Sequence, residues 1–257
     1  MDRSHRGPAG PAHPGGAAVS AGHQAAAAAG QPGMIIEARG VVKSFGQTPA
    51  LRDATVSAAR GEVLAVMGPS GSGKSTLLHC LAGILVPDAG EVWFAGGRLD
   101  TRPEADRSVL RRDRFGFVFQ SGQLVPELTA EENVALPLLW SGARRGPALA
   151  EARGWFSRLG LDGLERRRSG ELSGGQAQRV ALARGLVARP DIIFADEPTG
   201  SLDSVSGEHV MSLLTDAARQ EGTTVILVTH EARVAAYAAR RVIVRDGTLT
   251  ALDAVAP

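Results

Sequence analysis

The stretch Gly68-Pro69-Ser70-Gly71-Ser72-Gly73-Lys74-Ser75-Thr76 constrains this chain more than any other. It matches G-x-x-x-x-G-K-[ST] and stands between an apolar run, Glu62–Met67, and a segment of helical character, Lys74–Ala82. Strand, glycine-rich turn and helix together aim backbone N–H groups and the positive end of a helix at one point, which is a cradle for phosphate. The glycines let the backbone curl tightly enough to form it. Lys74 adds a mobile charge for β- and γ-phosphates, and the Ser75 hydroxyl can ligate Mg²⁺. Lys43 and Lys74 are the only lysines among 28 basic residues, so compositional bias does not explain a lysine here.

A second segment completes the site. Asp191–Glu197 (DIIFADE) reads as a buried strand ending in two carboxylates. Its end belongs at the carboxyl edge of a sheet, where folds of this kind bind ligands. Asp196 is expected to hold Mg²⁺, in part through water, and Glu197 to orient and deprotonate an attacking water. Further runs of strand character are Ile35–Val42, Phe117–Phe119, Val225–Val228 and Val242–Val244. Helical stretches are Gln176–Val187, Val205–Arg219 and Ala232–Ala239, and Asp246-Gly247 marks a tight hairpin. Strands alternating with helices predict an α/β fold with a mainly parallel core sheet. Leu-, Trp- and Arg-rich material at about 125–175 breaks that rhythm and reads as an inserted helical subdomain.

Composition sets the outer limits. Residues 1–33 are almost entirely Ala, Gly, Pro, His and Ser, and cannot bury enough apolar area to offset their ordering entropy. They are expected to be a disordered tail, leaving one domain over 34–253. The spacing of its three histidines fits no common metal site. The formal charge of +1 gives no case for nucleic acid, and the single cysteine, Cys80, cannot form an intramolecular disulfide. No run approaches 18 apolar residues and the start lacks signal-peptide texture, so a protein on the cytosolic side is expected. The only asparagine, Asn133, precedes Val134, so the guanine-reading Asn-Lys-x-Asp motif is absent and ATP is favoured over GTP. Phe45 can stack on adenine or lie at the edge of the core.

Leu172-Ser173-Gly174-Gly175-Gln176, ahead of AQRVALAR, resembles the LSGGQ signature of ATP-binding cassette (ABC) ATPases. A serine cap and two glycines ahead of a helix make a second anion site. One nucleotide does not need two such nests in one subunit, so the simplest arrangement is a head-to-tail homodimer. In it Ser173, Gly174, Gly175 and Gln176 serve the ATP of the opposite chain. The resemblance implies more, residue by residue. It makes the chain a P-loop ATPase with a small antiparallel β subdomain. Gln120 in FGFVFQ becomes a Mg²⁺ and water ligand beside Ser75 and Asp196. Asp203 lies in the loop that spans the dimer interface, His230 in VILVTH contacts the γ-phosphate, and Phe45 takes the aromatic position over the base.

The segments GPSGSGKSTLLHCLAG, FGFVFQSGQLVPELTAEENVALPL and ADEPTGSLDSVSG are similar to the group holding macrolide-exporter and lipoprotein-releasing ATPases. That resemblance implies a peripheral subunit on the cytoplasmic face of the cell membrane, driving a separate FtsX/MacB-type permease for export or release. An amino-acid importer, and a mechanotransducer controlling a cell-wall hydrolase, remain open. A soluble cassette serving DNA repair or ribosomes usually carries a long coiled-coil insertion or a second cassette; the sequence shows neither, so that role is not expected. Cys80 is expected to be buried, and Arg111–Arg114 and Arg166–Arg168 to be solvated faces. Trp140 and Trp155 belong either to a groove for the permease or to the core.

Overall fold

In the strands that read as apolar throughout, successive side chains enter two different cores. The computed structural model describes residues 30–31 and 33–252, and its elements in chain order begin with β1 (Met34–Phe45), β2 (Thr48–Ala59), β3 (Val63–Met67) and α1 (Lys74–Leu81). Then come β4 (Ala89–Phe94), β5 (Gly97–Arg98), α2 (Glu104–Arg114), β6 (Phe115–Phe119), α3 (Ala130–Trp140), α4 (Arg145–Arg158) and α5 (Gly174–Leu186). The last are β7 (Ile192–Asp196), α6 (Ser204–Glu221), β8 (Thr224–Val228), α7 (Ala232–Ala235), β9 (Arg240–Arg245) and β10 (Thr248–Leu252). The expected tail and residue 253 lie outside the described residues, except Gly30, Gln31 and Gly33. The Gln31 N–H donates to Glu37 Oε1 at 2.7 Å, so the sheet already holds the chain there.

Six strands form the central sheet in the order β10-β9-β3-β8-β7-β6, parallel except for the β9–β10 hairpin. On one face Leu64, Val66, Ile192, Phe194, Ile226 and Val228 pack with α1 and a four-stranded antiparallel sheet, β2-β1-β4-β5. On the other, Ala65, Ile193, Ala195, Val225 and Leu227 pack with helices that include α5 and α6. Covering both faces is what strands without polar alternation require.

The helical insert is built on α3 and α4. Thr129 and Glu132 form a reciprocal capping box that starts α3. Asn133 is fully buried and ties down the preceding loop, accepting from Val125 N–H at 2.7 Å and donating to Val125 O at 3.0 Å. Trp155 is core at 2 % exposure, whereas Trp140 is 64 % exposed and does not belong to the core. The helix expected over 232–239 stops after one turn, because Ala239 N–H is needed at the sheet, where it donates to Val63 O at 3.0 Å. Cys80 is buried, which pushes its thiol up to about 12. Arg111, Arg112 and Arg114 each pair with a carboxylate: Glu104, Asp113 and Asp191. Among the described residues no helix is long and apolar enough to cross a membrane.

Candidate active site

Four neighbouring parallel strands, β3, β8, β7 and β6, end at one edge of the central sheet, and each delivers its next residues to the same place. From β3 come Gly68–Gly73, which turn into α1. Gly68 has φ +147°, and a Cβ there would lie 2.2 Å from Val244 O. Gly73 has φ +107°, and a Cβ there would lie 2.3 Å from Ala50 O. Both positions therefore admit only glycine, and Gly71 adds a third left-handed turn. α1 begins on Gly73 without a side-chain cap, so its first N–H groups stay free for a ligand. Pro69 and Ser70 form the exposed crest, while Ser75 and Thr76 lie in the first helical turn.

Lys74 is buried and arches back over this loop, donating to Gly68 O at 3.0 Å and Pro69 O at 2.9 Å. Ser72 Oγ is buried without a hydrogen-bond partner. An orphaned buried hydroxyl in a glycine-rich turn that opens an uncapped helix fits a bound phosphate, which could satisfy it. The back of the loop is braced by the β9–β10 turn, where Gly247 N–H donates to Ser72 O at 3.0 Å.

Asp196 ends β7 in register with Phe119 on one side and Val228 on the other, so it stands beside Gln120. Gln120 is packed against Gly200, where a Cβ would come within 2.8 Å of Nε2, and Ser201 Oγ donates to its carbonyl at 2.7 Å. Glu197 follows at φ +48°, a left-handed residue that turns the chain out of the strand. Its Oε1 lies 2.8 Å from His230 Nδ1, and its Oε2 accepts from Thr229 Oγ1 at 3.3 Å. Carboxylate and imidazole are thus in direct contact where β7 and β8 end. Thr229 was not singled out from sequence; the structure buries it fully, directly after the apolar run Val225–Val228 that ends β8.

The remaining candidates do not converge on this point. Ser173 caps α5, accepting from Gln176 N–H at 3.3 Å while Gln176 Oε1 accepts from Ser173 N–H at 2.8 Å. Gly174 and Gly175 have no left-handed backbone, and a Cβ on either would meet only ordinary contacts, Leu202 Cδ2 at 3.7 Å and Ser206 Cβ at 3.6 Å. Asp203 caps the adjacent α6, and the Ser206 N–H, 3.0 Å away, holds its carboxyl below the usual range. Phe45 ends β1 with its ring 52 % exposed, at the tip of the hairpin whose Ala50 touches Gly73, so it is not a core residue.

The sequence profile of the ABC transporter family matches residues 51–200. The chain belongs to the ABC transporter family. It is an ATP-binding ATPase of that family, and among solved structures it superposes on the dimeric cassette MJ0796 bound to ADP and Pi with a TM-score of 0.78. That match is 35% identical and covers 86% of this chain and 100% of that one. The chain is also 43% identical over 221 residues to the lipoprotein-releasing system ATP-binding protein LolD 1 of Caulobacter vibrioides, covering 84% of this chain and 94% of LolD 1. It is 44% identical over 222 residues to the macrolide export ATP-binding/permease protein MacB of Marinobacter nauticus. There it covers 85% of this chain and only 34% of MacB, so it spans about a third of that relative.

Proposed function

We propose that two copies of this chain close head to tail on two Mg·ATP, hydrolyse them and reopen, and that this cycle drives a separate FtsX/MacB-type permease. The observation that carries the reading is a half-site. Ser173–Gln176 form a glycine-opened helix end, exposed at Ser173 and Gly174 and half-buried at Gly175 and Gln176, and the fold of the chain itself does not require those glycines. A twofold pair would offer this end to the γ-phosphate held by the partner's phosphate loop, and Gly174 and Gly175 would let it approach. The adjacent N-terminus of α6, capped by Asp203, would lie in the same interface.

Within one subunit Lys74 leaves its resting carbonyls to meet the β- and γ-phosphates, and Ser72 finds its partner there. Ser75, Gln120 and Asp196 are oxygen donors at three neighbouring loop ends and would hold Mg²⁺, which when bound neutralises charge on the β- and γ-phosphates. Glu197 takes the proton of the attacking water, Thr229 and His230 hold its carboxylate, and His230 reaches the γ-phosphate. A positioned base of this kind contributes on the order of 10²–10⁴ in rate. The exposed ring of Phe45 stacks on the adenine.

A groove of about 500 Å³ runs between the phenylalanines of β6 and α3, with Trp140 on its lip and Gln123 on its wall. Its apolar lining and arginine rim suit a cytoplasmic segment of the permease, which would place the subunit on the inner face of the membrane. The similarity to MacB and LolD proteins supports export or release as the direction of work. The test is affinity purification of Glu197→Gln protein with Mg·ATP from detergent-solubilised membranes. A permease with four membrane helices and a large outer domain is the expected partner. A many-helix permease with a solute-binding protein would move the chain to the importers, and recovery in the soluble fraction alone would defeat the transport reading.

A further inference from the structure

One helix holds the loop that carries Gln120 from both sides. Gln178 Nε2 donates to Phe119 O at 2.8 Å, one residue ahead of Gln120. Arg184 donates from Nη2 to Gly122 O at 2.7 Å and from Nη1 to Gln123 O at 2.9 Å, just after it. Both side chains come from α5, whose first turn holds Gly174–Gln176. The helix is itself locked to β6. A Cβ on Gly116 would lie 2.1 Å from Gly185 O, and one on Gly185 would lie 3.2 Å from Val118 Cγ2, so backbone rests on backbone.

The arginine is an expensive way to fill this space. Desolvation by burial holds its guanidinium below the ordinary arginine range, and among the described residues no carboxylate pairs with it. A cation set against neutral carbonyls costs stability that an apolar side chain would not. Those carbonyls belong to an unusual turn: Gly122 has φ +69° and Gln123 φ +46°, two left-handed residues in succession, the second not glycine. Gln178 is more deeply buried than the half-buried Arg184, at 1 % exposure, and gives its amide to one loop carbonyl.

We propose that Gln178 and Arg184 are positioning residues for ATP hydrolysis: by fixing the backbone on both sides of Gln120 they set where its side chain meets Mg²⁺ and the attacking water. Because they stand on the signature helix, the seat of Gln120 and the direction of the Ser173–Gln176 nest move as one body. The proposal rests on the role given above to Gln120.

The test is a double-mutant cycle on the full chain, with kcat, KM for ATP and the Mg²⁺ requirement measured separately. Gln120→Ala is expected to lower kcat about 10- to 100-fold, and Gln178→Met or Arg184→Met about tenfold, with KM within about twofold. Both methionine variants should raise the Mg²⁺ concentration for half-maximal rate, and both should cost nothing further in the Gln120→Ala background. Arg184→Lys, which keeps the charge and the donors but not the planar fork that spans two successive carbonyls, should recover part of the rate. Equal losses in both backgrounds, or a loss of thermal stability with kcat intact, would overturn the positioning role. If Gln120→Ala leaves kcat and the Mg²⁺ requirement unchanged, the role of Gln120 itself fails and the proposal falls with it. Should Arg184→Met aggregate, Gln178→Met, of similar volume and removing one bond, carries the same cycle.

Discussion

The chain has two glycine-rich helix starts, and they are built on opposite plans. At α1 the glycines are compulsory, since side chains at Gly68 and Gly73 would strike Val244 O and Ala50 O, and the helix end is left uncapped. At α5 the glycines are optional for the chain, and the end is closed by its own Ser173 and Gln176. The first start is backed by a strand, roofed by a buried lysine and complete within one subunit. The second faces outward and completes nothing in its own chain. A glycine that the local fold does not need points to a neighbour that does need it, and this separates a finished site from half of one.

The comparison can be broken most sharply through catalysis. Glu197→Gln should lower turnover by about 10²–10⁴ while leaving both nests intact, so an ATP-bound dimer should accumulate in sedimentation velocity with millimolar Mg·ATP. A variant that stays monomeric would mean the nests do not meet. Lys74→Ala should weaken Mg·ATP binding by about 10- to 100-fold in calorimetry, and unchanged affinity would take the first nest out of the site. Gly174→Ala or Gly175→Ala should act in two directions. Each should stabilise the isolated chain by about 0.5–1 kcal/mol in urea unfolding, yet abolish the ATP-dependent dimer in the Glu197→Gln background. Loss of monomer stability would show that the second set of glycines is compulsory after all.

Two smaller effects sharpen the contrast. Ser173→Ala removes a working cap and should cost about 1 kcal/mol without nucleotide. Ser72→Ala removes a buried hydroxyl with no partner, so the nucleotide-free protein should be as stable or more so, while ATP binds less tightly. Asp203, beside the second nest, has a depressed folded pKa. Its contribution is therefore complete above the unfolded value near 3.9 and is lost as pH falls through the lower folded value. Asp203→Asn keeps a capping oxygen but not this titration, so acid unfolding should lose a little of its pH dependence below about pH 4.

The parts legible in sequence are those whose chemistry is local. Gly68–Thr76 carries its fold and its ligand in one stretch, and β7 and β8 read as strands because every residue of Ile192–Ala195 and Val225–Val228 is apolar. β2 was not legible: TPALRDATVSAA is alanine-rich and weak in strand formers, and only pairing with β1 along its length makes it a strand. α2 was not legible as a helix, only its end Arg111–Arg114 as a charge run, because its apolar residues are few; it is held by arginines that reach Glu104, Gly83 O and Asp191. Gln178, Arg184 and Thr229 escaped for a related reason. They lie within segments that carry the resemblance, AQRVALAR and VILVTH, but their roles come from which carbonyl or carboxylate the folded chain brings opposite, and spacing along the chain does not show that.

The brace behind the phosphate loop has a consequence for the order in which the protein is made. Ser72 O is held by Gly247 N–H, and the backbone at Gly68 rests on Val244. The loop residues leave the ribosome well before β9 and β10, the strands that back them. A nascent chain therefore carries an unfinished phosphate loop until that hairpin has emerged, and nucleotide can seat firmly only from then on.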